Sequence, residues 1–69
     1  MKKLYKVTGM MCAHCENHVK EYVEKLEGVK SAKANHKKEL LKVVSKEEIP
    51  VEQIKSAVED AGYKFEGEI

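Results

Sequence analysis

The chain has 69 residues, 42% hydrophobic and 36% charged, which describes one small folded domain spanning residues 1–69 and leaves no room for a second. Thirteen lysines against twelve acidic residues give a formal net charge of +1, and arginine is absent, so nothing suggests a nucleic-acid partner, whose phosphates and bases favour bidentate arginine. No apolar run reaches membrane-spanning length, and Met1-Lys2-Lys3 leads into Leu4-Tyr5-Lys6-Val7-Thr8 rather than the apolar stretch of a signal peptide; the expectation is a cytoplasmic domain without direct membrane insertion.

Residues Lys3 to Thr8 alternate, Tyr5 and Val7 against Lys6 and Thr8, the period of a half-buried strand that Gly9 ends. From Ala13 to Leu26 the apolar positions Val19, Tyr22, Val23 and Leu26 recur at helical spacing among lysines and glutamates. Gly28 stands where a helix C-terminal cap belongs. Val29 to His36 alternates again, with Ala32, Ala34 and His36 on one side, although alanine fills a strand face poorly. Lys37-Lys38-Glu39 reads as a hairpin connection into a strand from Leu40 to Ser45, with Leu41 and Val43 inward and Leu40 and Val44 outward. After the charged Lys46-Glu47-Glu48, Pro50 opens a second helix that buries Val51, Ile54, Ala57, Val58 and Ala61. Gly62 closes it, and Tyr63 to Glu68 forms a last strand with Phe65 inward. The order βαββαβ predicts an α+β, ferredoxin-like sandwich: a four-stranded antiparallel sheet with two helices on one face.

Both cysteines fall in the first loop, Gly9-Met10-Met11-Cys12-Ala13-His14-Cys15. In a reducing compartment a lone C-x-x-C is expected to bind metal or to be redox-active rather than to form a structural disulfide. Cys12 lies on the exposed loop and Cys15 in the first turn of a helix, where the helix field and free N–H groups stabilise negative sulfur. Two thiolates on one Cu(I) carry a net charge of −1 and suit that place; structural zinc wants four protein ligands, and only two cysteines exist. His18, one turn after Cys15, would complete a Cys2His set for zinc, or is a surface residue of the helix. Met11 offers a soft thioether, or simply faces solvent. His36 belongs to the strand pattern away from the loop and is expected to be half-buried.

The motif Gly9-Met10-x-Cys12-x-x-Cys15, at the first loop of a βαββαβ chain of this length and followed by Gly62-Tyr63, resembles the heavy-metal-associated domain family. That family occurs as bacterial copper chaperones and as modules of copper-pumping P-type ATPases, and the resemblance covers essentially the whole chain. It implies that Cys12 and Cys15 bind Cu(I) in near-linear fashion, that Met10 tucks beneath the loop without ligating, and that Tyr63 shields the thiolates from water and oxidant. Relatives tuned to zinc or cadmium commonly carry an acidic residue just before the first cysteine. Met11 stands there instead, which favours copper. His14 is implied to be an exposed spacer or a transient ligand.

The function expected is a carrier that takes Cu(I) on Cys12 and Cys15 and passes it by thiolate exchange to a metal-transporting P-type ATPase or another C-x-x-C protein. It is not expected to be an enzyme. It should be a monomer without metal, with a metal-bridged dimer where two chains share ions. Two alternatives remain open. A thiol-disulfide oxidoreductase also places C-x-x-C between a strand and a helix, but it normally sets a cis-proline beside the site, and the one proline, Pro50, lies elsewhere. The same fold could instead carry Ag(I), Hg(II) or Zn(II), which thiolate softness alone does not separate from Cu(I).

Overall fold

A computed structural model describes residues Met1–Ile69. The elements are β1 (Lys2–Thr8), α1 (Ala13–Glu24), β2 (Val29–Asn35), β3 (Leu40–Ser45), α2 (Val51–Asp60) and β4 (Lys64–Glu68). The strands form one antiparallel sheet in the order β2-β3-β1-β4, so β1 and β3 are central. This is the ferredoxin-like arrangement expected from the element order.

The period-two pattern of each strand sends one set of side chains into a common core. Tyr5 and Val7 of β1, Ala32 and Ala34 of β2, and Leu41 and Val43 of β3 are buried together with Val19 and Val23 of α1 and Ile54, Ala57 and Val58 of α2. The alanines of β2 are the small residues of this layer, and their share of the core is made up by α1, whose Val19 and Val23 are fully buried. One face of the sheet is thereby covered by both helices.

Several expectations shift for local reasons. α1 stops at Glu24, and Leu26 sits in the following turn, still packed on the core. β2 ends at Asn35 because its Oδ1 accepts the N–H groups of Lys37 and Lys38, both at 3.0 Å, which turns the chain before His36. Val51, expected inside, is exposed, and Ala61 is half-buried. Ile49 takes the inward place instead. The Pro50 ring crowds the residue before it and favours an extended Ile49, and buried Ile49 shares the core with Ile54 one turn into α2. That apolar pair across a helix start fixes the angle at which the chain enters.

Two features bring the ends of distant elements to the first loop. The Tyr63 N–H donates to the Val58 carbonyl at 3.2 Å, closing α2 and delivering Tyr63 to the start of β4. Thr8 pairs with Lys64 in the sheet, so the end of β1 and the start of β4 run side by side.

Candidate metal centre

The loop from Gly9 to Cys12 joins a central strand to α1, and its shape follows from three residues. Gly9 has φ +94°, a left-handed conformation that side chains rarely adopt, and a Cβ there would lie 3.8 Å from the Tyr63 ring. Met10 is buried and joins the core cluster, pinning the loop from below. Met11, the next residue, is 84% exposed. The chain then enters α1 through Cys12, which is extended (φ −162°, ψ 176°) and occupies the cap position.

No side chain caps α1 at this end. The Cys12 carbonyl accepts the Glu16 N–H at 3.2 Å, while the earlier N–H groups of the turn have no helical partners, which leaves the positive end of α1 at the cysteine-bearing loop. Cys12 is exposed and Cys15 half-buried. Both are free thiols with Sγ atoms 3.7 Å apart, in contact and not bonded. This separation fits one soft ion between two thiolates: metal–sulfur bonds of about 2.3 Å span about 3.8 Å when bent tetrahedrally and about 4.6 Å when linear, so even linear binding asks the sulfurs to part by only about 1 Å.

The surroundings favour charged sulfur at Cys15. Its thiol is pulled down from an ordinary 9.0 to about 7, first by the Tyr63 hydroxyl, then by the Met11 N–H, with smaller help from the Cys12 thiol and N–H; partial burial opposes them. The reciprocal effect appears at Tyr63, whose phenol is pushed up to about 12, chiefly because its proton is held toward Cys15 and also by burial. Tyr63 is half-buried, packed against the core, and so sits as a polar lid beside the second sulfur.

His14 and His18 are both exposed on α1, with ring centroids 5.6 Å apart. No group of three or more His, Cys, Asp or Glu side chains gathers around a common point, so neither histidine stands with both thiols as a ready-made third donor. His36 is nearer the loop than its place in the pattern implies. Its N–H donates to Glu16 Oε2 at 2.7 Å and its Nδ1 lies 2.6 Å from the same oxygen, tying the β2–β3 hairpin to the residue after Cys15. These contacts hold the Glu16 carboxyl below its usual range, the His36 N–H contributing most. Twenty positions separate the pair, and nothing in the linear sequence marks it.

The largest surface hollow, about 480 Å³, lies between α1 and α2 around Tyr22, Leu26, Gln53 and Ala57, and neither cysteine lines it or any other cavity. Chemistry rather than concavity therefore selects the thiol pair.

The chain is similar over nearly all of its length to known proteins. Residues 4–64 match the model of the heavy-metal-associated domain. The chain is 41% identical over 64 residues to a copper chaperone, CopZ, of Staphylococcus haemolyticus, covering 91% of this chain and 94% of that one. Among solved structures, it is similar to the N-terminal domain of a potential copper-translocating P-type ATPase of Bacillus subtilis in its Cu(I)-loaded state (35% identity, 99% and 89% coverage, TM-score 0.81). It is also similar to the N-terminal domain of ZntA in its Zn(II) form (33% identity, 96% and 89% coverage, TM-score 0.84).

Proposed function

The chain belongs to the heavy-metal-associated domain family, and we propose that it carries Cu(I) on Cys12 and Cys15 and hands it to a partner by thiolate exchange. The observation that carries this reading is the thiol pair itself: sulfurs 3.7 Å apart, one on an open loop and one on the first turn of α1, with the latter drawn to about 7.

Cargo transfer needs a donor that binds tightly and still lets an incoming ligand reach the metal. Cys12 is exposed and next to an exposed Met11, so a partner's thiolate approaches from that side. It adds to the ion to make a three-coordinate intermediate, and Cys12 then leaves. Cys15 holds longer, being backed by the Tyr63 hydroxyl and the loop N–H groups. Met10 keeps the loop seated on the core during the exchange. No substrate bond is made or broken.

The partner that fits is a C-x-x-C module of a metal-transporting P-type ATPase, or another two-thiolate protein, met in the cytoplasm. No helix of this chain is long and apolar enough to cross a membrane. The metal-free chain is read as a monomer, with a dimer where two chains share ions. Cu(I) is favoured over Zn(II) because only two thiolates converge and Met11, not a carboxylate, precedes Cys12. The redox alternative is weakened by the position of Pro50. It stands at the start of the ten-residue α2, about 15 Å from the helix end that delivers Tyr63.

The test is an anaerobic competition titration of the reduced protein with Cu(I) and Zn(II) against chelators of graded affinity. Cu(I) bound one to one and far more tightly than Zn(II), and lost in Cys12→Ser/Cys15→Ser, is the expected result. Zn(II) binding of similar strength that falls in His18→Ala would replace this reading with a Cys2His zinc module.

A further inference from the structure

α1 carries a second constellation that the carrier reading does not use. His14 and His18 are one turn apart, both exposed, with ring centroids 5.6 Å apart and planes tilted by 39°. Neither ring takes part in a hydrogen bond or ion pair, unlike His36, which Glu16 engages. Their nitrogens are free to turn toward one point.

We propose that His14 and His18 form a separate two-nitrogen chelate for a divalent ion of borderline hardness, Cu(II) foremost, on the exposed face of α1. The four-residue spacing puts both side chains on one helix face a turn apart, the spacing at which helical H-x-x-x-H pairs hold zinc. Imidazole suits Cu(II), Ni(II) and Zn(II), and affinity rises toward Cu(II), whereas the thiol pair suits soft monovalent ions. One helix end therefore offers two sites sorted by hardness.

Only two donors converge, so water fills the remaining positions. Such a site binds less tightly than a closed one and exchanges quickly. The positive end of the helix opposes a cation near His14, but that field fades within the first turn. Glu21, exposed on the same face three residues beyond His18, offsets it. Beyond His18 the Tyr22 ring stands edge-on at 6.0 Å, which limits His18 on that side and leaves the His14 side open.

The experiment uses the full chain as Cys12→Ser/Cys15→Ser, so that Cu(II) meets no thiol to oxidise and the thiolate site is absent. This keeps the outcome independent of the Cu(I) reading. Circular dichroism checks the fold; were the variant unfolded, alkylated wild-type chain replaces it. Titration with Cu(II), Ni(II) and Zn(II) alone is expected to give one Cu(II) per chain, with electron-spin resonance showing two nitrogen ligands and with Ni(II) and Zn(II) weaker. His14→Ala and His18→Ala should each weaken Cu(II) by about tenfold or more, the loss of the second arm of a chelate. His36→Ala should leave binding unchanged. His18→Ala/Glu21→His keeps the histidine count but sets the rings two turns apart, and should not recover the affinity. Single-histidine variants that bind as tightly as their parent, or recovery in the Glu21→His variant, would overturn the proposal.

Discussion

The charge on one sulfur, that of Cys15, governs the chemistry of the loop. Cys15 titrates near 7 because Tyr63 and the Met11 N–H stabilise its thiolate, so Tyr63→Phe should move that titration upward. Thiolate ultraviolet absorbance followed against pH reads it, and an unmoved midpoint would show that the phenol does not act. The same shift links folding to pH. The folded thiol is more acidic than the unfolded one at 9.0, so its contribution is complete above about 9 and is lost as pH falls through about 7. Tyr63 acts in the opposite sense but at higher pH, its contribution fading only as pH rises from 10.0 toward 12. Denaturant midpoints should therefore rise from pH 7 to 9 in the wild type and rise less in Cys15→Ser. Two glycines separate backbone strain from crowding. Gly28 and Gly62 have nearly the same φ, +92° and +96°, but a Cβ at Gly28 would meet Ile49 Cδ1 at 3.1 Å and Glu47 Oε1 at 3.3 Å, while Gly62 faces open space. Gly62→Ala should cost about 1–2 kcal/mol, the left-handed penalty alone. Gly28→Ala should cost more, and equal losses in chemical denaturation would mean that Ile49 and Glu47 give way freely.

At the scale of elements, the open face of the sheet holds an unneutralised charge pair. Lys33 of β2 and Lys42 of β3 are direct cross-strand partners, Lys38 lines the same shallow hollow, and none of the three meets an acid. Like charges so placed work against the β2–β3 pairing, so Lys42→Glu should stabilise the fold by about 0.5 kcal/mol. The gain should shrink at high salt, where exposed charges are screened; a salt-independent gain in melting experiments would point to packing instead. Leu40 and Val44 share this face and are only half-buried there, between Lys6 and Asn35 and between Lys2 and Ser31 respectively. The strands and helices were legible because their apolar positions keep clean periods, and the thiol pair because a spacing is a local property. Ile49 was not, since it falls between periodic segments and is buried by the Pro50 entry rather than by any repeat. Nor was the Glu16–His36 tie, since an interaction between residues twenty apart is set by where the hairpin folds back. Tyr63 was placed by family resemblance, and its pull on Cys15 appears only once the end of α2 lies beside the loop.

For the whole molecule, a core of this size leaves little margin, and that makes cargo and stability interdependent. A chain of this length holds about 3–10 kcal/mol in all, and truncating fully buried Ile54 to alanine should remove about 2–5 kcal/mol of it. Ile54→Ala is thus expected to be largely unfolded when warmed, although its thiol loop is unchanged. A bound ion stabilises the folded chain only to the extent that it prefers the folded site. The unfolded chain keeps Cys12 and Cys15 three positions apart and chelates Cu(I) as well, so the gain is set by what folding adds: the Tyr63 hydroxyl, the open N–H groups at the start of α1, and the Met10 anchor. Cu(I) should therefore raise the melting temperature of the wild type and of Ile54→Ala, but by less than the measured affinity for the folded protein alone would give. A peptide of residues 9–18 supplies the missing reference. The ratio of its Cu(I) affinity to that of the whole chain should account for the observed shift, and equal affinities with an unshifted melt would mean that the fold presents the thiolates without strengthening their grip.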